Sequence, residues 1–519
     1  MMKKFKKLMV LVLTSVMVSS VLLTGCGQKE EKKDSGDAKV DTQKEVELSF
    51  YFPNTPQKDL QSVEDALNAL VKPKINATIK LNLVDWSAYD QKISMMMGAG
   101  EAFDICFTSA WTNIYTQSAG KGAYKDLTPL LDEYAPKTKE VVPDNFWKAV
   151  QVNGKTYAVP NVQQDAVGYG YSVQKPIADK YKFDWKNTKC WNDLTPFLEQ
   201  VKKGEPDMIP FEYAKKSDPF LAGTTMYGME ALGEPKTPGW IYLDDKDLKV
   251  INQYDTPEFK DYLKTMREWY QKGYIRKDAA TLKDTEADRK AGKNAVQWIQ
   301  LDSGTVDYEN LGFPYKGRMF APSGIESYDQ RFVEPMLTTD KVTAALLAVS
   351  STSKNPERAL QFIELLNTDK DIYNTLSWGI EGKHYKKVND DNRIETLKDG
   401  GYQIWSPWEF GYVGNSYYDE SWPEGIEKDN KGHQMWIDLN KNATASPALG
   451  FVFNMDNVKT EVANCSSVLD QFYYALSSGS VDPDKYQPEL VAKLKTAGAD
   501  KIIAEKQSQL DEWKKTNGK

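Results

Sequence analysis

Residues 46–86 read VELSFYFPNTPQKDLQSVEDALNALVKPKINATIKLNLVDW, and this stretch decides the fold. The β-rich run 46–52 predicts a strand, and apolar residues at helical spacing then predict a helix that starts with Thr55 and Pro56 and stops at Pro73. The alternating residues 78–84 predict a second strand. A helix over 89–97 and a short apolar strand over 103–108 continue the pattern. This alternation is typical of a parallel α/β sheet with crossover helices.

A ligand-binding edge follows from this sheet. Ligands of open α/β sheets bind outside the carboxyl ends of the strands. The residues directly after the three predicted strands are therefore the first candidates for a binding site. They are Asn54, Asp85, Trp86 and the segment Ser109–Trp111.

The N-terminus resembles an export signal with a lipid anchor. Residues 1–25 begin with four lysines and continue with an apolar run, which predicts a signal peptide. Leu23-Thr24-Gly25-Cys26 is similar to the lipobox of bacterial lipoproteins, which implies cleavage before Cys26 and lipidation of that cysteine. Residues 26–45 are polar and charged and predict a flexible tether. The expected location is the outer face of the cell membrane.

Composition excludes several classes of function. The chain has 66 basic and 74 acidic residues, and removal of the four lysines in residues 1–25 takes the formal net charge from −8 to −12. Such an acidic balance argues against binding to nucleic acid and against adhesion to anionic lipid. With two histidines in the chain, histidine-based zinc sites and Ser-His-Asp triads are nearly excluded. We therefore expect no cofactor and no metal.

The cysteines do not form a disulfide framework. Past Cys26 the chain contains Cys106, Cys190 and Cys465, an odd number at wide spacing. Cys106 lies in an apolar run and Cys465 on the apolar face of a predicted helix. Both are expected to be buried and inert.

Four segments carry a family resemblance. Residues 100–105 (GEAFDI), 121–130 (KGAYKDLTPL), 154–160 (GKTYAVP) and 355–369 (NPERALQFIELLNTD) resemble, in this order, segments of the family 1 extracellular solute-binding proteins. Residues 379–385 (GIEGKHY) and the run 461–513 resemble the LplA-like subgroup, whose members end in a DUF3502-type module. The resemblance covers essentially the whole mature chain.

The resemblance implies a periplasmic-binding-protein-like fold of type II, with two α/β lobes and a ligand cleft between them. Lobe one would comprise residues 46–160 and 338–385, and lobe two residues 161–337 and 386–519 with the C-terminal helical module. Hinges are expected at Tyr157–Asn161 and Pro335–Lys341. The implied protein is a monomer that captures an extracellular carbohydrate, an oligosaccharide, and delivers it to the permease subunits of an ABC importer.

Aromatic residues supply the candidates for sugar contacts. Several of the 14 tryptophans lie among polar and turn residues, where an indole face can cover the apolar face of a sugar ring while amides and carboxylates bind its hydroxyls. The predicted ligand-binding residues are Trp111, Asn54, Trp86, Gln163, Gln164, Trp298, Trp378, Glu381, Trp405, Trp408 and Asn415. Asp165 follows the two glutamines as a further polar group.

Structural roles are open alternatives for some of these residues. Trp111 and Trp298 could belong to the core and Glu381 to a helix cap or surface ion pair. Gln163, Gln164 and Asp165 could lie in a solvated loop. At the level of function, the same fold could bind a non-sugar solute such as a peptide. A secreted glycoside hydrolase would also have aromatic subsites, together with two carboxylates across the scissile bond.

Overall fold

The computed structural model describes residues 44–163, 165–301, 325–388, 393–397, 399–404, 407–419 and 431–517. In chain order, the strands are β1 (Val46–Pro53), β2 (Ala77–Val84), β3 (Ile105–Thr108), β4 (Gln151–Val152), β5 (Lys155–Thr156), β6 (Ala158–Pro160), β7 (Gly168–Gln174), β8 (Ile209–Phe211), β9 (Met229–Ala231), β10 (Trp240–Tyr242), β11 (Asn294–Leu301), β12 (Ser327–Arg331), β13 (Met336–Leu337), β14 (Leu346–Val349), β15 (Tyr385–Lys387), β16 (Arg393–Thr396), β17 (Tyr418–Asp419) and β18 (Thr444–Ala445). The helices are α1 (Leu60–Ile75), α2 (Trp86–Ala99), α3 (Tyr115–Gly120), α4 (Leu131–Tyr134), α5 (Pro136–Val141), α6 (Asp144–Ala149), α7 (Lys175–Lys180), α8 (Thr195–Gly204), α9 (Pro219–Ala222), α10 (Pro257–Gln271), α11 (Glu286–Lys290), α12 (Thr339–Val342), α13 (Pro356–Thr368), α14 (Lys370–Trp378), α15 (Lys431–Asn442), α16 (Lys459–Ser477), α17 (Pro483–Ala497) and α18 (Ala499–Thr516).

The first sheet has the strand order β2-β1-β3-β14-β6. β1 pairs in parallel with both β2 and β3, so the parallel arrangement predicted from residues 46–108 is confirmed. β14 runs antiparallel to β3 and to β6. The carboxyl ends of β1, β2 and β3 consequently meet at one edge of this sheet.

Helix α1 differs from its prediction at both ends. Thr55 does not cap it, because the Thr55 N–H donates to the side chain of Asn54 in a turn, and the helix begins at Leu60. Pro73 lies inside the last turn, where its missing N–H removes a single helical hydrogen bond. The helix ends at Ile75, followed by Asn76 in the left-handed conformation (φ 47°).

The first hydrophobic core surrounds this sheet. It buries Phe50 and Phe107 from the strands and Leu67 and Phe362 from α1 and α13. It also contains residues beyond the predicted end of lobe one at 385, namely Tyr402, Ile404, Phe410 and Leu449. The exact lobe boundaries stay a prediction.

A second sheet has its own core. Its strand order is β12-β7-β11-β8, and β11 runs antiparallel to β7 and parallel to β8. Tyr171, Phe211 and Trp269 are buried there together with Tyr473 and Ile502 from α16 and α18. The C-terminal helices therefore help to build the second core.

Within the part of the chain that the structure describes, three segments connect the two cores, and we call them the crossing segments. The first is 161–167, between β6 and β7, the second is 332–345, between β12 and β14, and the third is 444–457, before α16. β13 in the second segment pairs with β18 in the third, and Val167 in the first forms a bridge with Met336. The crossing segments thus lie side by side.

The cysteine prediction is confirmed for the two thiols it concerned. Cys106 and Cys465 are buried, and burial raises their pKa values to about 12 and about 11. Among the residues that the structure describes, no helix is long and apolar enough to cross a membrane. Within the same residues, no group of three or more His, Cys, Asp or Glu side chains is arranged to hold a metal ion.

Candidate ligand-binding site

The loops after β2 and β3 place two tryptophans at the carboxyl edge of the first sheet. After β2, the Asp85 side chain accepts from the Ser87 N–H at 2.9 Å, so α2 begins with Trp86. After β3, the Ser109 hydroxyl oxygen accepts from the N–H groups of Trp111 and Thr112 at 3.1 and 2.8 Å. This tight turn projects the Trp111 side chain outward.

Among the described residues, four aromatic rings meet at this edge, and we call them the aromatic platform: Trp86, Phe107, Trp111 and Trp408. The indoles of Trp86 and Trp111 are stacked, with ring centroids 5.7 Å apart and planes 19° apart. The Trp408 centroid lies 6.2 Å from that of Trp86 and 6.3 Å from that of Trp111. Phe107 lies 6.0 Å from Trp111 and 5.9 Å from Trp408.

Exposure differs sharply within the aromatic platform. Phe107 is fully buried and belongs to the first core, whereas Trp86 and Trp408 are half-buried. Trp111 is 50% exposed, although a large aromatic side chain at a sheet edge gains free energy from burial. Its outer face is the apolar surface that a ligand could cover.

Backbone hydrogen bonds tie the aromatic platform to the crossing segments. Three consecutive carbonyl groups of the second segment, those of residues 343–345, accept from the Ala110 N–H, the Trp111 indole N–H and the Asn161 N–H at 2.8, 2.8 and 3.0 Å. The Asn161 side chain then donates to the Glu409 carbonyl oxygen at 2.7 Å, next to Trp408. The Trp111 side chain is thus bonded to the second crossing segment, and the backbone next to Trp408 is bonded to the first.

Not all predicted site residues lie at this platform. Trp378 is 4% exposed in a small core with Tyr385, Ile394 and Tyr417, and its indole N–H donates to the Ser416 hydroxyl at 3.3 Å. The structure thus gives Trp378 a packing role, because a buried indole needs both apolar neighbours and an acceptor.

Three further candidates make local contacts. Asn54 is buried and its side-chain oxygen holds the turn after β1. The Asn415 amide donates to the Asn367 carbonyl oxygen at 2.9 Å. Glu381 is exposed and pairs with Lys387 at 3.2 Å, which matches the surface ion pair left open as its alternative.

Gln163 and Trp298 also have structural contacts of their own. Gln163 is half-buried in the first crossing segment, where its carbonyl oxygen accepts from the Asn440 side chain at 2.6 Å. Trp298 is partly buried on β11 and packs against the second core, which matches its core alternative. Gln164, Trp405 and Cys26 lie outside the described residues.

The prediction for Asp165 needs correction. The sequence suggested a polar group available to sugar hydroxyls, but the structure buries this residue. Its carboxyl group is buried and accepts from the Gln163 N–H at 2.9 Å and from the Asn440 side chain at 3.2 Å. Burial raises its pKa to about 8, since a charged carboxylate is poorly solvated there. Asp165 belongs to the packing of the crossing segments.

Phe107 is a platform residue that sequence reasoning missed. It lies inside the apolar run of β3 and looks like any core residue. Its position near the end of β3 is the signal that could have identified it. Trp111 follows four residues later, and a large indole at that strand end needs an apolar residue to pack against.

Comparisons with known proteins fit this architecture. Residues 59–373 match the family described as "Bacterial extracellular solute-binding protein", and residues 447–515 match a domain of unknown function, DUF3502. The chain belongs to the bacterial extracellular solute-binding proteins. Members of this family are binding proteins and not enzymes, so the alternative that the protein is a glycoside hydrolase is dropped. The family also confirms the α/β fold of two lobes and an extracytoplasmic location.

Three individual proteins or structures illustrate the relationship. The "Carbohydrate ABC transporter substrate-binding protein" of Streptococcus pneumoniae serotype 4 (strain ATCC BAA-334 / TIGR4) is 30% identical over 96% of this chain and 97% of its own length. A crystal structure of the N-glycan transport solute-binding protein NgtS from Streptococcus pneumoniae superposes with a TM-score of 0.77 at 29% identity, covering 91% of this chain and all of that one. The NgtS complex with Man5GlcNAc gives a TM-score of 0.65 at 30% identity, covering 91% and 99%.

Proposed function

We propose that this solute-binding protein captures an oligosaccharide of the N-glycan type at the aromatic platform and delivers it to an ABC permease. The observation that carries the proposal is the half-exposed Trp111 indole at the carboxyl edge of the first sheet, stacked on Trp86 and beside Trp408. Family membership says that a solute is bound. The aromatic platform supports a carbohydrate as that solute.

The chemistry is that of a sugar ring. A pyranose has an apolar C–H face that an indole covers, and an extended oligosaccharide offers several rings to a site of this kind. The relatives support the same class, since one is named for carbohydrate and NgtS was crystallised with Man5GlcNAc. A peptide is the alternative ligand, and the binding experiment must distinguish it from an oligosaccharide.

Closure of the lobes on the ligand is part of the proposal. The NgtS crystal structure superposes on this chain with a TM-score of 0.77 and the NgtS complex with Man5GlcNAc with a TM-score of 0.65, and this difference supports a change of conformation in such proteins. A ligand that contacts both lobes binds the closed form better, and that difference in affinity shifts the population. The crossing segments supply the connection about which the lobes would move.

Lipid anchoring completes the proposal. The lipobox-like segment 23–26 supports a diacylated Cys26 at the outer face of the cell membrane, with residues 27–45 as the tether. Two acyl chains give stable anchoring, whereas one chain gives marginal binding. The tether would hold the binding protein, as a monomer, beside its permease.

Isothermal titration calorimetry of the mature chain without its lipid tests the ligand class. We expect saturable binding of Man5GlcNAc and a Trp111→Leu variant weaker by about 1–3 kcal/mol, the range for truncation of a central aromatic contact. Trp185→Leu is the matched control, because this second-lobe tryptophan is also stacked on another ring, that of Tyr328. Binding of a peptide library but of no glycan would overturn the proposal.

A further inference from the structure

The two stacked tryptophans lie on different kinds of backbone, Trp86 on a helix and Trp111 in a loop. Trp86 is the first residue of α2, a 14-residue helix whose start is capped by Asp85. Trp111 lies in the turn after β3 and is the more exposed ring of the two. A side chain on a helix is held more precisely than one on a loop. Of the two indoles, Trp86 is therefore the fixed one.

Besides the tilted rings of Phe107 and Trp408, Trp111 has two contacts that fix its orientation, one with Trp86 and one with Ala344. With the planes 19° apart and the centroids at 5.7 Å, one face of the Trp111 indole lies against Trp86. Its ring edge is fixed separately, because the indole N–H donates to the Ala344 carbonyl oxygen at 2.8 Å. One contact sets the plane and the other sets the rotation within that plane. The exposed half of Trp111 is the surface that remains for a ligand.

This arrangement removes an ordering cost from binding. A tryptophan on an unsupported loop samples several rotamers, and a ligand that stacks on it must select one of them. Here the rotamer is selected before the ligand arrives. The indole N–H is already used, so Trp111 offers its face alone, and the hydroxyls of the sugar must find partners on other residues.

We propose that Trp86 is a positioning residue, which holds Trp111 in the plane that receives one sugar ring and does not itself contact the sugar. The inference rests on the proposed function and deepens it, since it limits stacking on this pair to the outer face of Trp111. Trp86 then acts on binding only through Trp111, which makes the effects of the two residues non-additive.

A double-mutant cycle measured by calorimetry with Man5GlcNAc tests this dependence. We expect Trp111→Leu to weaken binding about 10- to 100-fold and Trp86→Leu about three- to tenfold. The double variant should bind no more weakly than Trp111→Leu alone. Trp86→Phe should restore the affinity to within about twofold of wild type, because a phenyl ring still supports the indole face. Additive losses, or no rescue by phenylalanine, would overturn the proposal and leave the proposed function intact.

Circular dichroism supplies a second measurement that needs no ligand. Stacked indoles couple their transitions, so the wild-type protein and the Trp185→Leu control should show an exciton couplet that both Trp86→Leu and Trp111→Leu lose. A couplet that is present in wild type and absent from Trp111→Leu supports the stacked geometry on which the inference rests. If wild type binds no glycan, the proposed function fails for this ligand, whereas a wild-type protein without a couplet would overturn the inference. A couplet that Trp86→Leu leaves unchanged would overturn the inference in either case.

Discussion

Asp165 shows how a single buried carboxyl group makes the free energy of unfolding depend on pH. Its carboxyl pKa is raised to about 8 by burial, above its ordinary value of 3.8. The unfolded chain therefore releases this proton from about pH 4, whereas the folded chain keeps it until about pH 8. Between these values Asp165 makes the folded state progressively less stable as the pH rises.

We expect Asp165→Asn to be more stable than wild type above pH 5, because the amide keeps an acceptor for the Gln163 N–H without the ionisable proton. The gain should grow with pH by up to about 1.4 kcal/mol per pH unit toward pH 8. Urea unfolding at pH 5, 6.5 and 8 measures it. The exposed Asp261→Asn serves as control, and parallel curves for wild type and Asp165→Asn would contradict the assignment.

Lys506 is the opposite case, a buried amine. Its ammonium group donates to the Gly239 carbonyl oxygen at 3.0 Å, and burial lowers its pKa to about 7. Unfolding lets it bind a proton between about pH 7 and pH 10.4, so stability should rise with pH across that window. Lys506→Met should remove this rise and stabilise the protein most at or below pH 7, as measured by urea unfolding. A wild-type curve that is flat from pH 7 to 10 would contradict it.

Residue chemistry alone could not separate the tryptophans of the aromatic platform from those of the cores. Trp111 and Trp86 were found because they follow strands whose periodicity is visible in the sequence. Trp378 has equally polar neighbours in the chain but packs with Tyr385 and Tyr417, which only the tertiary structure brings to it. The role of Asp165 also depends on Asn440, a residue distant in sequence.

At the scale of elements, the C-terminal helices belong to the second core. Helix α16 supplies Tyr473 and Ser477, whose hydroxyls donate to the buried Asp218 carboxylate at 3.0 and 2.6 Å. Helices α17 and α18 add Leu490 and Ile502 to the same core. The segment that matches DUF3502 is therefore a structural part of this core.

A chain that ends after Asn457 should lose the fold of the second core, because α16, α17 and α18 would be missing. Burial of each large apolar side chain contributes about 1.5–3 kcal/mol, so the loss exceeds the stability of an ordinary domain. Limited proteolysis should cut residues 168–301 rapidly. The control ends at Lys515, which keeps every buried residue of α18. Equal protease resistance of the two truncated chains would contradict the prediction.

Element boundaries illustrate where sequence patterns stop being informative. The parallel β1–β2–β3 arrangement followed from periodicity. The start of α1 did not, because Asn54 forms a turn that Thr55 and Pro56 alone do not reveal. Local capping signals compete with such turns, and tertiary contacts decide between them.

For the whole molecule, lobe closure predicts a change of shape on binding. The radius of gyration from small-angle X-ray scattering should fall when saturating Man5GlcNAc is added, since a ligand held by both lobes favours the closed form. Trp111→Leu at the same ligand concentration should show a smaller fall. An unchanged radius with calorimetrically saturated wild type would mean that the site does not bridge the lobes.

Anchoring predicts where the whole molecule resides. Cys26→Ser removes the thiol to which the acyl chains would attach, so the mature protein should leave the membrane fraction or persist as unprocessed precursor. Fractionation and immunoblotting measure this, with Cys190→Ser as control because that cysteine is free and exposed. Normal processing with membrane retention of Cys26→Ser would contradict the lipid anchor.

The triple passage of the chain between the cores also bears on when the protein can fold. The first core packs Leu48 near one end of the mature chain together with Leu449 near the other. Contacts of such long range form late, because the intervening chain must first be closed into a loop. During synthesis and export, the N-terminal strands are therefore made before some of the residues that complete their core. Because the first core includes Leu449, it can be completed only after most of the chain has been synthesised, and a late-completed core favours translocation as an extended chain.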